Sequence, residues 1–178
     1  GLGFGESVHL QALASQPDLK AVALWHPRRE RLDRACLEHN LPGYDDWEAL
    51  LSDPRVQAVI IATPPEPRFA LALQALKAGK HLLLEKPVAL KAESVAELQR
   101  VAIQNRLSVA VDYEYRAVPL FMQAARMLAA GAVGTPWLVK LDWLMSSRAD
   151  ASRPWSWYSQ RDAGGGVVGA LGTHAFDM

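Results

Sequence analysis

Apolar runs alternate with amphipathic stretches along most of the chain. Leu82-Leu83-Leu84 is the sharpest run, three apolar residues without polar alternation. That is the pattern of a strand buried on both faces of a parallel sheet. It stops at Glu85-Lys86-Pro87, where the missing N–H and fixed φ of proline end a strand. Residues 56–62 and 107–111 read as two further apolar strands, and residues 19–25 alternate loosely as another. Helical patterns lie between them: Val8 to Leu13 up to Gln16-Pro17-Asp18, then residues 28–40, 47–51, 69–78 and 92–105. Leu32, Ala35, Cys36 and His39 share a stripe of the second, so Cys36 reads as core packing. Leu41-Pro42-Gly43, Asp53-Pro54, the Thr63-to-Pro67 run and Gly79 punctuate the series. Strands alternating with helices predict an α/β fold with a doubly wound parallel sheet.

The pattern changes after Val111. Asp112-Tyr113-Glu114-Tyr115-Arg116 is polar and aromatic, Pro119 follows, and residues 120–130 form a helical stretch ended by Gly131. Residues 137–145 alternate in strand fashion and suit an antiparallel sheet covered on one side. Residues 146–153 read as a polar loop, and Trp155, Trp157 and Tyr158 cluster after it. Gly164-Gly165-Gly166 permits a tight backbone before a closing helix that carries His174 and Asp177. The predicted organisation is a dinucleotide-binding domain over residues 1–111 and the beginning of a second α/β domain over residues 112–178.

Composition narrows the class. Half of the 178 residues are apolar, and 19 Lys plus Arg balance 19 Asp plus Glu. Nothing suggests a basic nucleic-acid face or a membrane span. A single cysteine excludes an internal disulfide framework and a cysteine zinc site, so no metal is expected and a reducing, cytoplasmic compartment fits. The chain opens on Gly1-Leu2-Gly3-Phe4-Gly5, and such a loop ordinarily follows a strand. It therefore reads as an interior fragment of a longer protein.

Candidate chemistry gathers at strand ends, where open α/β sheets bind ligands. Gly1, Gly3 and Gly5 would let backbone approach a pyrophosphate, with a helix start behind them. The usual spacing is G-x-G-x-x-G, and here the third glycine falls one place early, before Glu6. At the end of the second strand stand Trp25-His26-Pro27-Arg28-Arg29, with no acid until Glu30. An acid there would bind the ribose hydroxyl of NAD, so Arg28 and Arg29 favour the 2′-phosphate of NADP. Lys86 sits at the rim, as a point charge or as an acid/base shifted by burial. Trp155, Trp157 and Tyr158 suit stacking on a sugar ring or domain packing.

Together these pieces resemble the Gfo/Idh/MocA family of NAD(P)-dependent oxidoreductases over essentially the whole chain. The carriers are the glycine loop with His9, Ala62-Thr63-Pro64, Ala78-Gly79-Lys80-His81 leading to Glu85-Lys86-Pro87, Arg116 with Pro119, and Gly164-Gly165-Gly166 leading to Gly172-x-His174-x-x-Asp177. The resemblance implies a Rossmann domain plus an α/β domain with a largely antiparallel sheet. It implies that Lys86 and His174 lie close to the reacting carbon and that the Lys86-Pro87 bond is cis. It also implies cofactor contacts from Gly1, Gly3, Phe4, Gly5, Arg28, Arg29, Thr63, Pro64, Glu85 and Lys86. Substrate contacts fall to Arg116, Trp155, Tyr158 and Asp177, and a homo-oligomer would form through the second domain.

The expected activity moves hydride between NADP, or NAD, and a hydroxyl or carbonyl carbon of a sugar, cyclic polyol or related small molecule. Histidine suits the hydroxyl proton, and a lysine ammonium suits the developing alkoxide. Two positions depart from the family pattern. Ala170 stands where an aspartate often orients the histidine, leaving Asp177 or backbone to do so, and Arg68 stands where a histidine often follows Thr-Pro. The alternatives are a cofactor-binding sensor without chemistry, and an enzyme like biliverdin reductase or dihydrodiol dehydrogenase.

Overall fold

The computed structural model describes residues 1–146, 150 and 152–178, which divide into two compact units, Gly1–Asp112 and Tyr113–Met178. In the first unit a wide π-helical turn, Gly5–His9, leads into α1 (Leu10–Ala14). There follow β1 (Leu24–Trp25), α2 (Arg29–His39), β2 (Gly43–Tyr44), α3 (Trp47–Ser52) and β3 (Ala58–Ile61). Then come α4 (Pro65–Lys77), β4 (His81–Glu85), α5 (Ala92–Gln104) and β5 (Val109–Asp112). The second unit holds a 3₁₀ turn Glu114–Ala117, α6 (Pro119–Ala129), short turns Trp157–Ser159 and Arg161–Ala163, a π-helical turn Val168–Gly172, and α7 (Thr173–Asp177).

The parallel α/β reading holds. β3, β4 and β5 pair in parallel in that order, with Ile61 opposite Leu84, Leu84 opposite Val111, and Glu85 opposite Asp112. This register brings the carboxyl ends of the three strands level, so the residues just past them share one rim. Val59, Ile61, Leu82 and Leu84 face Ala72, Ala75 and Leu76 of α4 and Leu98, Val101 and Ala102 of α5 in one buried core. Lys80 Nζ donates to the carbonyls of Asp53 and Val56, tying the start of β4 to the approach to β3. β1 and β2 form a separate parallel pair. A Cβ on Gly43 would lie 2.4 Å from Cys36 Sγ, so only glycine lets α2 pack this closely on β2.

Several element boundaries differ from the sequence reading. β1 is confined to Leu24–Trp25 because its ladder partner, β2, is itself two residues long, and Gly43 joins that ladder rather than ending a turn. Leu24 and Trp25 also line a cavity of about 590 Å³ together with Ile60 and Leu83. α4 begins at Pro65, not at residue 69. Proline fits a first helical turn because the N–H groups there have no intrahelical acceptor, so Pro65 and Pro67 start the helix instead of blocking it.

The expected strand over residues 137–145 does not form. No strand occurs among the described residues of the second unit, so its backbone finds no ladder partner and the antiparallel sheet is absent from them. Trp137 and Leu144 are each 92% exposed. The polar loop read over residues 146–153 lies partly outside the described residues. Among the described residues, no helix is long and apolar enough to cross a membrane.

Candidate functional site

At the rim of the first unit the glycine loop lies against the end of β3. A Cβ on Gly1 would stand 2.6 Å from the Ala62 carbonyl oxygen, and one on Gly5 would touch Ala62 Cβ at 3.5 Å. A Cβ on Gly3 would meet no protein atom within 4 Å. Gly1 therefore serves packing against the sheet, whereas Gly3 leaves open backbone on the outer side. Phe4 is exposed and packs its edge on His9 at 5.4 Å. Thr63 is buried, and its Oγ1 has no hydrogen-bond partner among the described residues, while Pro64 beside it is exposed.

Glu85 and Lys86 follow at the end of β4. His9 Nε2 lies 2.9 Å from Glu85 Oε1 and 3.8 Å from Asp112 Oδ2. With Glu85 ionised, Nε2–H is the donor. Burial pushes the Glu85 carboxyl up, but the hydrogen bond from His9 and the charges of His9, Arg68 and Lys86 outweigh it and hold it below its ordinary value. Glu85 is thus a buried partner of the glycine-loop helix, a role its place in the rim motif did not disclose. The donor atoms of His9, Glu85 and Asp112 lie within 4.8 Å of one another, close enough for a metal, but the short His9–Glu85 bond already engages two of them.

Lys86 is half-buried, and its bond to Pro87 is cis, in line with the resemblance. Arg68 lies beneath this rim. It is 2% exposed, and its guanidinium donates from Nη1 to the carbonyls of Glu85 and Pro87 and from Nη2 to the carbonyl of Thr63.

The end of β1 carries the two arginines. Arg29 Nη1 donates to Asp45 at 2.9 Å and Nε to Asp33 at 3.2 Å, and the Asp45 bond leads in raising the guanidinium above its ordinary pKa. Two carboxylates therefore already engage Arg29. The Arg28 side chain is exposed and has no ion pair among the described residues. Its backbone N–H donates to His26 Nδ1 at 2.9 Å, and burial leads in lowering His26, keeping that nitrogen an acceptor.

The second unit builds a separate aromatic nest. His174, at 3% exposure, lies on α7 against the rings of Tyr115 at 4.8 Å, Tyr113 at 5.9 Å and Trp143 at 6.0 Å. Burial leads in raising the Tyr113 phenol. The carboxylate beside His174 Nδ1 is Glu114, at 3.7 Å. Asp177 instead accepts from Arg116 Nε at 2.6 Å, so these two expected substrate contacts bind one another. The structure thus sets Glu114 beside the imidazole, where Asp177 or backbone was expected. Ala170 is buried one turn earlier on the chain. Tyr158 stacks on Trp157 at 3.9 Å, whereas Trp155 is 75% exposed. A Cβ on Gly165 would lie 2.3 Å from the Trp157 carbonyl, the close approach for which the glycine run was noted.

The sequence reading missed Arg68 as a clamp, Glu114 as the neighbour of His174, and His26 as an acceptor. His9 was noted at its place after the glycine loop, but its partner was not.

Comparison with known proteins gives a family match for each of the two units. Residues 1–113 match the family model described as an oxidoreductase family with an NAD-binding Rossmann fold. Residues 121–178 match that of a GFO/IDH/MocA C-terminal domain. An uncharacterized oxidoreductase of Synechocystis sp. is 43% identical over 178 residues, 99% of this chain and 48% of that protein. Levoglucosan dehydrogenase of Pseudarthrobacter phenanthrenivorans is 32% identical over 134 residues, 75% of this chain and 34% of that enzyme. A solved 3-ketoreductase from Actinomadura kijaniata, in complex with NADP and TDP-benzene, superposes with a TM-score of 0.68 at 27% identity, over 72% of this chain and 40% of that one. The chain spans about half the length, or less, of these relatives.

Proposed function

The chain belongs to the Gfo/Idh/MocA oxidoreductase family, and from that premise we propose that the full-length protein is an NADP-preferring dehydrogenase or reductase. Its substrate is a sugar, cyclic polyol or related small molecule, oxidised at a hydroxyl or reduced at a carbonyl carbon. The observation that carries this reading is the rim where the glycine loop lies against the end of β3 and where Thr63 and Lys86 follow the adjacent strands β3 and β4. The residues fit a dinucleotide, because Gly3 offers backbone with open space where a side chain would stand.

Nicotinamide supplies the hydride acceptor or donor when bound. Gly1 seats the loop against the sheet, and Gly3, Phe4 and Gly5 would hold the pyrophosphate segment together with Thr63 and Pro64. Arg28 takes the 2′-phosphate, and Arg29 joins it by exchanging a carboxylate for phosphate. Lys86 donates to the reacting oxygen and stabilises the negative charge that develops there. His174 accepts the hydroxyl proton during oxidation and returns it during reduction, with Glu114 beside Nδ1 to stabilise the imidazolium. Arg116, Asp177, Trp155 and Tyr158 serve the substrate side. The sugar class is supported by levoglucosan dehydrogenase among the relatives, and the NADP preference by the 3-ketoreductase complex and the absence of an acid at the end of β1.

The test is a screen of the full-length protein against sugars and polyols, read by the absorbance of reduced nicotinamide. Turnover with a member of this class, faster with NADP than with NAD, is expected. Tight NADP binding without turnover on any member would instead favour a sensor, the reading that Ala170 keeps open.

A further inference from the structure

Arg68 is a buried cation that no chemical motif of the sequence accounts for. It lies in the first turn of α4, yet its side chain turns under the rim and is 2% exposed. Burying a guanidinium is costly unless its donors are satisfied and its charge is balanced. Here Nη1 and Nη2 donate to three backbone carbonyls, and the Glu85 carboxylate feels the charge. The identity of those carbonyls matters. Thr63 follows β3, while Glu85 and Pro87 stand immediately before and after Lys86. A guanidinium is a rigid planar fork, so one group can serve all three acceptors only while the two backbone segments keep one relative placement. His9 supplies a second hold through its hydrogen bond to the Glu85 carboxylate.

We propose that Arg68 is a positioning residue for Lys86: it pins the backbone on both sides of the lysine to the end of β3 and so fixes where the ammonium is presented. The inference rests on the role given to Lys86 above, and it adds a specific part for a residue outside the rim motif. A lysine at position 68 would keep the positive charge but lose the fork. A methionine would keep much of the apolar bulk and lose both.

The experiment uses the full-length protein as parent, Arg68→Lys and Arg68→Met. Thermal unfolding and NADPH titration establish that each variant is folded. Acylation by an amine reagent is then followed by peptide mass spectrometry, comparing Lys86 with exposed Lys77 in the same molecule. A loosened rim makes Lys86 label about threefold or more faster relative to Lys77 in Arg68→Lys, and kcat falls about 10- to 100-fold through misplacement of the ammonium. If Arg68→Met does not fold, Arg68→Lys carries the test alone. Parental labelling ratio and kcat in a folded Arg68→Lys, with only a lower melting temperature, would reduce Arg68 to a structural cation and overturn the proposal. A parent without turnover would sink the enzymatic reading. The labelling ratio needs no turnover, so it still decides the positioning role in that case.

Discussion

The two units of this chain treat their apolar residues in opposite ways. In the first, Val59, Ile61, Leu82 and Leu84 close on helices that lie beside them in sequence, and Leu84 is fully buried. In the second, Leu120, Trp137, Val139 and Leu144 face outward at 80%, 92%, 79% and 92% exposure. A parallel strand followed by its own crossover helix finds both a pairing neighbour and a cover nearby in the chain. An alternating strand meant for an antiparallel sheet has neither until other strands flank it. The first unit is therefore held by a shared core. The second is organised around His174 and its aromatic neighbours.

The largest consequence of this contrast concerns stability. Leu84→Ala is expected to cost about 2–5 kcal/mol in urea unfolding, while Leu144→Ala changes it by no more than about 0.5 kcal/mol. Comparable losses at both positions would erase the contrast. The second concerns the aromatic nest. His174→Gln in the full-length protein is expected to lower turnover by about 10²- to 10⁴-fold while NADPH titration stays near the parent. A parental rate would leave the nest purely structural.

A smaller effect belongs to the first unit alone. Asp53 accepts from the Arg55 side chain and from Tyr44, and the Arg55 bond leads in holding its carboxyl well below the usual carboxylate range. With the folded value depressed, this contribution is complete above the unfolded pKa of about 3.9 and disappears as pH falls through the folded value. Asp53→Asn should therefore flatten the acid limb of a stability-against-pH curve, and an unchanged limb would refute the assignment. The smallest effect is cofactor choice. Arg28→Ala should weaken NADP binding by about tenfold with little effect on NAD, as titration of both would show.

Much of the first unit was legible in the sequence for a physical reason. Strand-to-helix alternation is a local signal, and the rim residues sit where apolar runs break. The start of α4 was misread because Pro65 and Pro67 signal a break or a first turn equally well. Arg68 was invisible as a clamp because its acceptors are backbone carbonyls, which leave no trace in side-chain patterns. Glu114 reaches His174 across 60 positions, a pairing that no spacing rule predicts. Residues 137–145 carried a true alternation, but alternation records which face is to be buried, not whether a neighbour is there to bury it.

The central claim is that Lys86, at the rim beside the glycine loop, acts on the reacting oxygen. Steady-state kinetics of full-length Lys86→Ala, with NADPH binding measured on the same sample, tests it most directly. The account predicts bound cofactor with turnover lowered about 10²- to 10³-fold. Parental turnover in a variant that binds cofactor normally would contradict it.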